Sequence, residues 1–375
     1  MSARFLTVVL ERAFNMRDGF GREIDYMRIS VIDSCNLNCY YCNPCDNNEH
    51  CHALNILSVK EVLCIVRAAT RLGIKHFRLT GGEPLLHPQL DEMVLQIKKI
   101  SGVSSVSLTT NAVLLAQHAK WLKEAGIDSI NVSLDTIDAS EYERITKKPL
   151  LEEVKHGINA AIECGIRVKI NVVLTPQTDV VALTRYVAKK GTDIRFIEMM
   201  PVGEGHTNGV EPYKKVIGTL SKLYGEPCRI NTEKTKEINS GNDKRKIPDN
   251  GPAEYYIFPE LGIRVGLIQA IHGKFCDTCN RIRVTADGRL MPCLGSSVTM
   301  DLVPDSWDFA DDVEKDFAIV RALRAAIKAK PRCHNFNDNA VTYTKTTETK
   351  TVETKATELK AAEVNAARNM SRIGG

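Results

Sequence analysis

Short apolar segments alternate with amphipathic segments between about residues 24 and 198. The apolar segments are rich in valine and isoleucine, as parallel strands buried on both faces are. We predict six such strands, over residues 26–32, 75–80, 103–109, 128–134, 166–174 and 193–198. Six strand–helix units in series predict an α/β fold, most simply an incomplete (β/α)6 barrel resembling part of a TIM barrel.

Capping signals mark the helices between these strands. Ser58 and Glu61 form a capping box ahead of the segment VLCIVRAATRL, and Gly73 ends that helix. The segments LLAQHAKWLKEAG and EEVKHGINAAIECG end in the same way at Gly126 and Gly165. Each predicted strand is therefore followed by a loop at its carboxyl end, which is where parallel βα folds gather their functional residues.

The alternation fades towards the C-terminus, and the composition changes with it. We expect an N-terminal segment (1–23), the partial barrel (24–198), a C-terminal region (199–337), a linker rich in threonine, lysine and glutamate (338–368) and a short tail (369–375). The linker repeats a five-residue pattern, TKTTE-TKTVE-TKATE-LKAAE, with too little apolar content to fold alone.

Composition narrows the class of protein. Hydrophobic residues make up 43% of the chain and charged residues 26%, as in ordinary globular proteins. No run approaches the roughly 18 apolar residues of a membrane span. The net charge of +4 is too small to indicate a nucleic-acid or membrane partner. The N-terminal segment is basic and could be amphipathic, so organelle targeting is left open.

The cysteines are clustered rather than scattered. Six of the twelve fall into two tight triplets, a pattern that indicates metal ligation in a reducing cytoplasm rather than disulfides. The first triplet, Cys35, Cys39 and Cys42, has the spacing C-x3-C-x2-C. Three thiolates can hold three irons of a [4Fe-4S] cluster and leave the fourth iron open, whereas electron-transfer clusters usually take four.

A zinc site is the alternative for the first triplet. Its fourth ligand would be one of four nearby residues, Cys45, His50, Cys51 or His52. Structural zinc usually uses C-x2-C pairs, and the x3 spacing fits that pattern poorly.

Small and polar residues also follow the next predicted strands. Gly81-Gly82-Glu83-Pro84 comes after the second strand, TTN ends the third and SLD ends the fourth. A Gly-Gly-x-Pro string is often only a tight turn. Beside a cysteine loop, however, glycines also let the backbone approach a ligand closely.

The cysteine motif and the GGEP string together resemble those of the radical S-adenosylmethionine (SAM) enzymes, over about residues 24–200. In that family the open iron chelates the amino and carboxylate groups of SAM, and one electron splits it into methionine and a 5′-deoxyadenosyl radical. The resemblance implies that Tyr41 lies over the adenine and that Gly82 receives the amino group. It also implies that Ser133 and Met200 line the same ligand.

The second triplet, Cys276, Cys279 and Cys293, has the spacing C-x2-C-x13-C. C-x2-C is the commonest zinc half-site, and His272 is the nearby candidate for a fourth zinc ligand. A second cluster with an open iron is the alternative. The spacing alone does not separate the two.

Eight strings, the last of them the terminal IGG, narrow the resemblance to the MoaA-type GTP 3′,8-cyclases of molybdenum-cofactor biosynthesis. The strings are RISVIDSCNLNCYYC, RLTGGEPLL, LTTN, INVSLDTID, VKINVV, RFIEMMPVG, FCDTCNRIRVTADGRLMPC and the final IGG. The resemblance implies two [4Fe-4S] clusters, the second of which binds guanine. The radical then takes hydrogen from ribose C3′, which attacks guanine C8 to give 3′,8-cyclo-7,8-dihydro-GTP.

The resemblance also implies which residues bind GTP and act on it. Arginine suits phosphate because its planar fork donates two hydrogen bonds at once. The implied GTP-binding residues are Arg28, Arg78, Thr109, Lys169, Arg195, Arg281 and Arg283. If the segment around residue 282 is a strand, Arg281 and Arg283 point to one face. Gly374 and Gly375 are implied to enter the active site, so catalytic roles fall to them and to Arg281 and Arg283.

Further partners follow from the same resemblance. They are cyclic pyranopterin monophosphate synthase as product acceptor and flavodoxin or ferredoxin as electron donor. Whether the chain forms a homodimer is left open. The chain also departs from the family's pattern. Ala112 stands where relatives usually carry glycine, His76 where many carry lysine, and Cys45 is an additional cysteine.

Two rival hypotheses remain. A radical SAM enzyme that modifies peptides would also carry accessory clusters, although usually with more cysteines and without the terminal Gly-Gly. A zinc-stabilised adaptor would leave the GGEP string and the barrel-like alternation unexplained. Binding of GTP would distinguish a cyclase from the peptide-modifying enzyme. Iron rather than zinc in the purified protein would distinguish it from the adaptor.

Overall fold

A computed structural model describes residues 16–42, 55–202, 209–230, 251–296, 299–302, 312–334 and 336. The six predicted strands are all present in it, each within two residues of the predicted ends. They are β1 Tyr26–Ser30, β2 His76–Thr80, β3 Ser105–Thr110, β4 Ser129–Ser133, β5 Val168–Val173 and β6 Asp193–Ile197. Each is parallel to the next along the chain, as the alternation predicts.

The first helix begins where the capping box predicts. Ser58 accepts a hydrogen bond from the backbone of Glu61, whose side chain bonds back to the Ser58 backbone, so the capping box is formed. The helices are α1 Val59–Arg71, α2 Leu90–Lys98, α3 Leu115–Glu124, α4 Ala139–Thr146, α5 Leu151–Glu163, α6 Val180–Lys189, α7 Gly218–Tyr224 and α8 Asp312–Lys328. One turn of π-helix, Tyr213–Ile217, leads into α7.

The C-terminal region adds strands to both edges of the same sheet. These strands are β7 Cys228–Ile230, β8 Glu254–Ile257, β9 Arg264–Ile268, β10 Arg281–Val284, β11 Arg289–Met291 and β12 Met300–Asp301. The sheet has twelve strands in the order β12-β11-β10-β1-β2-β3-β4-β5-β6-β9-β8-β7. β10 pairs parallel with β1, and β9 pairs parallel with β6. The predicted cluster-binding extension therefore satisfies the backbone groups of both edges of the six-stranded core.

Alternation along each strand separates a packed face from a chemical face. On β1, Met27 and Ile29 are fully buried in the core, whereas Arg28 between them faces a cavity. On β10, Ile282 is buried and its neighbours Arg281 and Arg283 line the same cavity. The segment around residue 282 is thus a strand with both arginines on one face, as predicted.

The sheet curves around that cavity. Arg281 on β10 and Arg195 on β6 lie far apart in the strand order, yet both line the cavity and repel each other electrostatically. A flat sheet could not bring them together, so the incomplete barrel predicted from the sequence is confirmed. Among the described residues, no helix has the length and apolar character needed to cross a membrane.

Candidate functional site

A cavity of about 320 Å³ lies on the concave side of the sheet, and both cysteine triplets face it. The first triplet enters from the loop after β1, and the second from the segment around β10. Tyr41, Gly82, Ser133 and Met200, the residues expected to bind SAM, also line it. Residues from opposite ends of the chain therefore form one site.

Backbone hydrogen bonds hold the first cysteine loop against the end of α4. The Asn38 amide donates to the Thr146 carbonyl at 3.0 Å, and the Tyr40 amide donates to the Ile145 carbonyl at 3.1 Å. Within the loop, the Cys42 amide donates to the Cys39 carbonyl at 2.9 Å. The loop's shape is consequently fixed by bonds that do not involve the thiols, which leaves these available as ligands.

The first three thiols lie close enough to influence one another. Desolvation raises the pKa of Cys35 to about 12, with Glu83 and Cys42 adding to the rise. Desolvation and Asp135 raise the pKa of Cys42 to about 11, and the pKa of Cys39 is raised for similar reasons. A bound metal must therefore displace the thiol protons, as iron–sulfur clusters do.

The described donor side chains do not converge on a single metal ion. In the stretches of chain that the structure describes, no group of three or more His, Cys, Asp or Glu side chains could hold one ion. Three thiolates of a cubic cluster bind three different irons, so they need not converge on one point. The donors present therefore fit a cluster better than mononuclear zinc, while Cys45, His50, Cys51 and His52 lie outside the described residues.

The GGEP segment packs tightly against the chain that leads into the first cysteine loop. A Cβ on Gly81 would lie 2.4 Å from the Ile32 carbonyl oxygen, and one on Gly82 would lie 2.3 Å from the Ser34 carbonyl oxygen. Neither position tolerates a side chain, so both glycines are required for this close approach. Gly82 also lines the cavity, so the turn and the ligand cradle are the same structure.

Glu83, the third residue of the GGEP string, was not predicted to have a role. Its buried carboxylate accepts hydrogen bonds from the Thr110 hydroxyl at 2.7 Å, the Asn111 amide at 2.7 Å and the Leu85 amide at 3.0 Å. Desolvation raises its pKa to about 7 although these bonds oppose the rise. The Asn111 side chain lies 3.7 Å from the Cys35 sulfur. Glu83 thus ties the end of β3 to the first cysteine loop.

Asp135 fixes Tyr41 in the cavity wall. The Tyr41 hydroxyl donates to one Asp135 oxygen at 2.5 Å, and the Val173 amide donates to the other at 2.7 Å. Desolvation raises the pKa of Asp135 to about 6. Asp135 is the last residue of the SLD string at the end of β4. An acidic residue at the carboxyl end of a parallel strand was the feature from which its role could have been predicted.

Five arginines line the cavity between the two cysteine loops: Arg28, Arg78, Arg195, Arg281 and Arg283. Desolvation and the neighbouring Arg281 lower the pKa of Arg283 to about 10. Within the described chain, Arg195 Nη2, Arg283 Nη1 and Thr109 Oγ1 are buried polar atoms without a hydrogen-bond partner. Unsatisfied donors among like charges indicate a site built for an anion with several oxygens.

Lys169 differs from the other expected GTP-binding residues. It is 5% exposed on β5, in register with Asn131 on β4 and Asp193 on β6, and it is not among the residues that line the cavity. Its neighbour two positions on, Asn171, does line the cavity and accepts a hydrogen bond from Arg195 Nε at 3.0 Å. The role of Lys169 stays a prediction.

Two buried cations hold the second cysteine segment. Arg22 Nη1 donates to the Cys276 carbonyl at 2.6 Å. Lys330 Nζ donates to the Arg281 and Pro292 carbonyls, each at 2.8 Å. Neither residue was predicted, because an isolated basic residue in sequence is usually a solvated charge.

His272 was the candidate fourth ligand for zinc at the second triplet. The structure directs its ring to Glu198, which also accepts hydrogen bonds from the Ile271 and His272 amides at 2.7 and 3.1 Å. Cys276, Cys279 and Cys293 line the cavity without it. Over the described residues, this segment therefore forms no mononuclear zinc site with His272.

Gly374 and Gly375, like Cys45 and Cys51, lie outside the described residues. The expected role of the terminal glycines accordingly stays a prediction. His76, in contrast, is described, and its Nδ1 lies 2.8 Å from the Ser105 hydroxyl.

Comparisons with known protein families agree with this architecture. Residues 29–182 match the family model described as the Radical SAM superfamily, and residues 192–336 match the model described as Molybdenum Cofactor Synthesis C. The boundary between the two matches falls close to the start of β6.

Individual relatives cover almost the whole described chain. The chain is 35% identical over 324 residues to a GTP 3′,8-cyclase of Clostridium perfringens. The matched region covers 86% of this chain and 95% of that protein. It is 37% identical over 328 residues to a GTP 3′,8-cyclase of Peptoclostridium acidaminophilum, which spans 86% of this chain and 94% of that protein.

Among solved structures, the chain is similar to Streptococcus suis SuiB bound to the precursor peptide SuiA. The TM-score is 0.54 at 14% identity, covering 86% of this chain and 69% of SuiB. At this level of identity the likeness shows a shared fold and nothing about the substrate.

Proposed function

This chain belongs to the GTP 3′,8-cyclase family of the radical SAM enzymes, and we propose that it converts GTP and SAM into 3′,8-cyclo-7,8-dihydro-GTP, 5′-deoxyadenosine and methionine. This reaction is the first step of molybdenum-cofactor biosynthesis. The observation that carries the proposal is that both cysteine triplets and five arginines line one cavity.

Cys35, Cys39 and Cys42 would hold the first [4Fe-4S] cluster. When bound, this cluster and SAM supply a 5′-deoxyadenosyl radical that removes hydrogen from ribose C3′. Tyr41, fixed by Asp135, orients the adenine from the cavity wall. Gly82, Ser133 and Met200 complete this half of the site, where SAM is enclosed by protein and shielded from bulk water.

The arginines bind the triphosphate and so place the ribose between the two halves of the site. Several guanidinium groups share a poorly solvated cavity, where desolvation and repulsion by Arg281 lower the pKa of Arg283 to about 10. A triphosphate relieves that repulsion and satisfies the unpartnered Arg195, Arg283 and Thr109 atoms. Binding energy from the phosphates is then available to hold C3′ in position for reaction.

Cys276, Cys279 and Cys293 would hold the second cluster, at which the guanine binds. Arg22 and Lys330 fix this segment through its carbonyl groups, so the thiols keep their orientation towards the cavity. Gly374 and Gly375 are proposed to reach the same cavity, because glycine alone is narrow enough to follow the chain into a filled site. A long flexible linker costs little, about 0.6 kcal/mol for each doubling of its length.

The test is anaerobic turnover of the reconstituted protein with GTP, SAM and a strong reductant, followed by product identification. We expect 5′-deoxyadenosine and the cyclic nucleotide in equal amounts, with ATP in place of GTP as the control. No affinity for GTP, or 5′-deoxyadenosine formed without the cyclic product, would contradict the proposal. The peptide-modifying alternative would then be favoured.

We propose the remaining partners from the same chemistry. The product passes to cyclic pyranopterin monophosphate synthase, and flavodoxin or ferredoxin supplies the electrons. A cytoplasmic location is proposed because cysteines grouped as metal ligands, rather than paired in disulfides, are typical of reducing compartments. An oligomeric state, such as a homodimer, is to be measured by light scattering.

A further inference from the structure

Lys330 is a buried cation that lies among the residues of the second cysteine triplet. It is 3% exposed, and it lines the cavity together with Cys279 and Cys293. Its Nζ donates to the Arg281 and Pro292 carbonyls, each at 2.8 Å. These carbonyls belong to the segments that carry the Cys279 and Cys293 thiols. The ammonium group is thus held beside two of the three expected cluster ligands.

In the described part of the chain, no carboxylate neutralises this charge. Lys330 forms no ion pair with a described acidic side chain, and the two carbonyls to which it donates are neutral. A buried ammonium group without a counter-ion is costly, because it loses its hydration without gaining an opposite charge. The anion that balances Lys330 therefore has to come from the cavity.

The Cys279 thiol is a hydrogen-bond partner of the Lys330 side chain. Of the described charged groups that act on this thiol, Lys330 acts most strongly and Arg281 next. An iron ligand is a thiolate, so a bound cluster would give Lys330 an anionic partner. The thiols of the first triplet interact with carboxylates instead, namely those of Glu83 and Asp135.

A charge beside a ligand sulfur changes how easily a cluster is reduced. Reduction adds one electron to a centre that three thiolates already make negative, and its potential depends on the local charge and on hydrogen bonds to sulfur. A fixed cation that also donates a hydrogen bond to a ligand stabilises the more negative, reduced state. Lys330 meets both conditions.

We propose that Lys330 is the fixed counter-ion of the second [4Fe-4S] cluster and that its charge makes this cluster easier to reduce. Lys330 is a positioning residue in this role, because it acts on the reaction only through the cluster. The inference rests on the proposed function, since it requires a cluster at the second triplet. It also accounts for a buried lysine that lacks an acidic partner among the described residues.

The test measures the reduction potential of each cluster in full-length protein loaded anaerobically with both. The potential is set electrochemically, the reduced clusters are counted by electron paramagnetic resonance, and neither GTP nor SAM is present. A full-length chain that carries Cys35→Ala, Cys39→Ala and Cys42→Ala identifies the signal of the second cluster.

Lys330→Met removes the charge and keeps a side chain of similar length. We expect the equilibrium constant for one-electron reduction of the second cluster to fall about tenfold, or about 59 mV, while that of the first changes less than about twofold. Lys330→Arg keeps the charge and should stay within about threefold of the wild type. Lys328→Met is the matched control, because Lys328 is exposed at the end of α8 and its charge is screened by water.

The direction of the change separates a charge effect from a structural one. A loosened segment would admit water to the cluster, and water stabilises the more negative reduced state, so the potential would rise. A second-cluster potential that rises in Lys330→Met, or that stays within about twofold of the wild type, would therefore overturn the inference. An equal fall in Lys330→Arg would overturn it as well.

A second variant covers the loss of the cluster itself. If Lys330→Met fails to load the second cluster, Lys330→Gln takes its place with the same fall expected, because its neutral amide still donates two hydrogen bonds. A wild-type chain that loads both clusters and binds no GTP would contradict the cyclase function alone. A wild-type chain that loads no cluster at the second triplet would overturn the role of Lys330 too.

Discussion

The two cysteine loops share a cavity but lie among opposite charges. Around the first loop, desolvation raises the pKa of Cys35 and Cys42, and the carboxylates of Glu83 and Asp135 raise it further. At the second loop, burial alone would raise the pKa of Cys279, but Lys330 and Arg281 lower it overall. Carboxylates therefore lie beside the first loop, in the part of the cavity that we call the negative half, and cations lie beside Cys279, in the part that we call the positive half. Desolvation still raises the pKa of Cys276 in the positive half.

This difference in charge could guide two substrates to different parts of one cavity. SAM carries a positive sulfonium, and GTP carries a negatively charged triphosphate. A charge in a poorly solvated cavity interacts strongly with its surroundings, because little water screens it. With SAM in the first half and GTP in the second, as proposed, each half would attract its own substrate and repel the other. Variants that affect one half at a time test whether the two halves act separately.

Removing one cysteine from each loop has the largest expected effect. Cys35→Ala should abolish SAM cleavage, because the first cluster then lacks one of its three thiolates. Cys276→Ala should leave SAM cleavage measurable and abolish the cyclic product. Both are measured by chromatography of 5′-deoxyadenosine and the cyclic nucleotide. A Cys276→Ala variant that keeps full cyclase activity would refute the division of labour between the two loops.

Displacing one arginine should weaken the positive half alone. A Cβ on Gly266 of β9 would lie 2.8 Å from Arg195 Cγ and 2.9 Å from a Tyr255 ring carbon. Gly266→Ala should therefore move Arg195 and raise the dissociation constant for GTP about fivefold, with SAM binding unchanged. Gly218→Ala is the matched control, because nothing lies within 4 Å of a Cβ at Gly218. Equal effects from the two variants would show that Arg195 is not held by Gly266.

Acidic pH should weaken the negative half. Glu83 and Asp135 have raised pKa values of about 7 and about 6, so both lose their charge as the pH falls through that window. Loss of negative charge disfavours the sulfonium, so we expect the dissociation constant for SAM to rise about threefold between pH 8 and pH 5.5. The control is S-adenosylhomocysteine, which has the same amino acid group and a neutral sulfur. A parallel rise for both ligands would contradict the charge argument.

The smallest expected effect is on the turn beside the first loop. Ala112 has φ of +65°, in the left-handed region that glycine adopts without cost. Asn111, the residue before it, contacts the first loop through Asn36 at 2.7 Å. Ala112→Gly should raise the free energy of unfolding by about 0.5–1 kcal/mol, measured by urea denaturation. A decrease in stability would mean that burial of the Ala112 methyl group outweighs the backbone strain.

Much of the fold could be predicted from the sequence because its signals are local. Valine and isoleucine runs predicted the six core strands, and Ser58 with Glu61 predicted the start of α1. The alternation of Arg281, Ile282 and Arg283 predicted two arginines on one face of a strand, which β10 confirms. The ligand roles assigned through the family resemblance stay predictions until substrates are bound.

Residues whose partners are distant in sequence could not be predicted. Arg22 holds the Cys276 carbonyl from 254 positions away, and Lys330 holds that of Arg281 from 49 positions away. Such contacts leave no periodic pattern, because a single basic residue looks the same whether it is solvated or buried.

The two cysteine triplets, the six core strands and their order along the chain could be read from local pattern, since spacing and side-chain period are properties of short segments. Only the tertiary structure decided that β10 pairs with β1, which brings the second triplet to the first across the cavity. It also decided the charge around each loop, because Glu83, Asp135, Lys330 and Arg281 come from four separate parts of the chain. Folding makes neighbours of residues that are far apart in sequence, and charge in a cavity depends on neighbours.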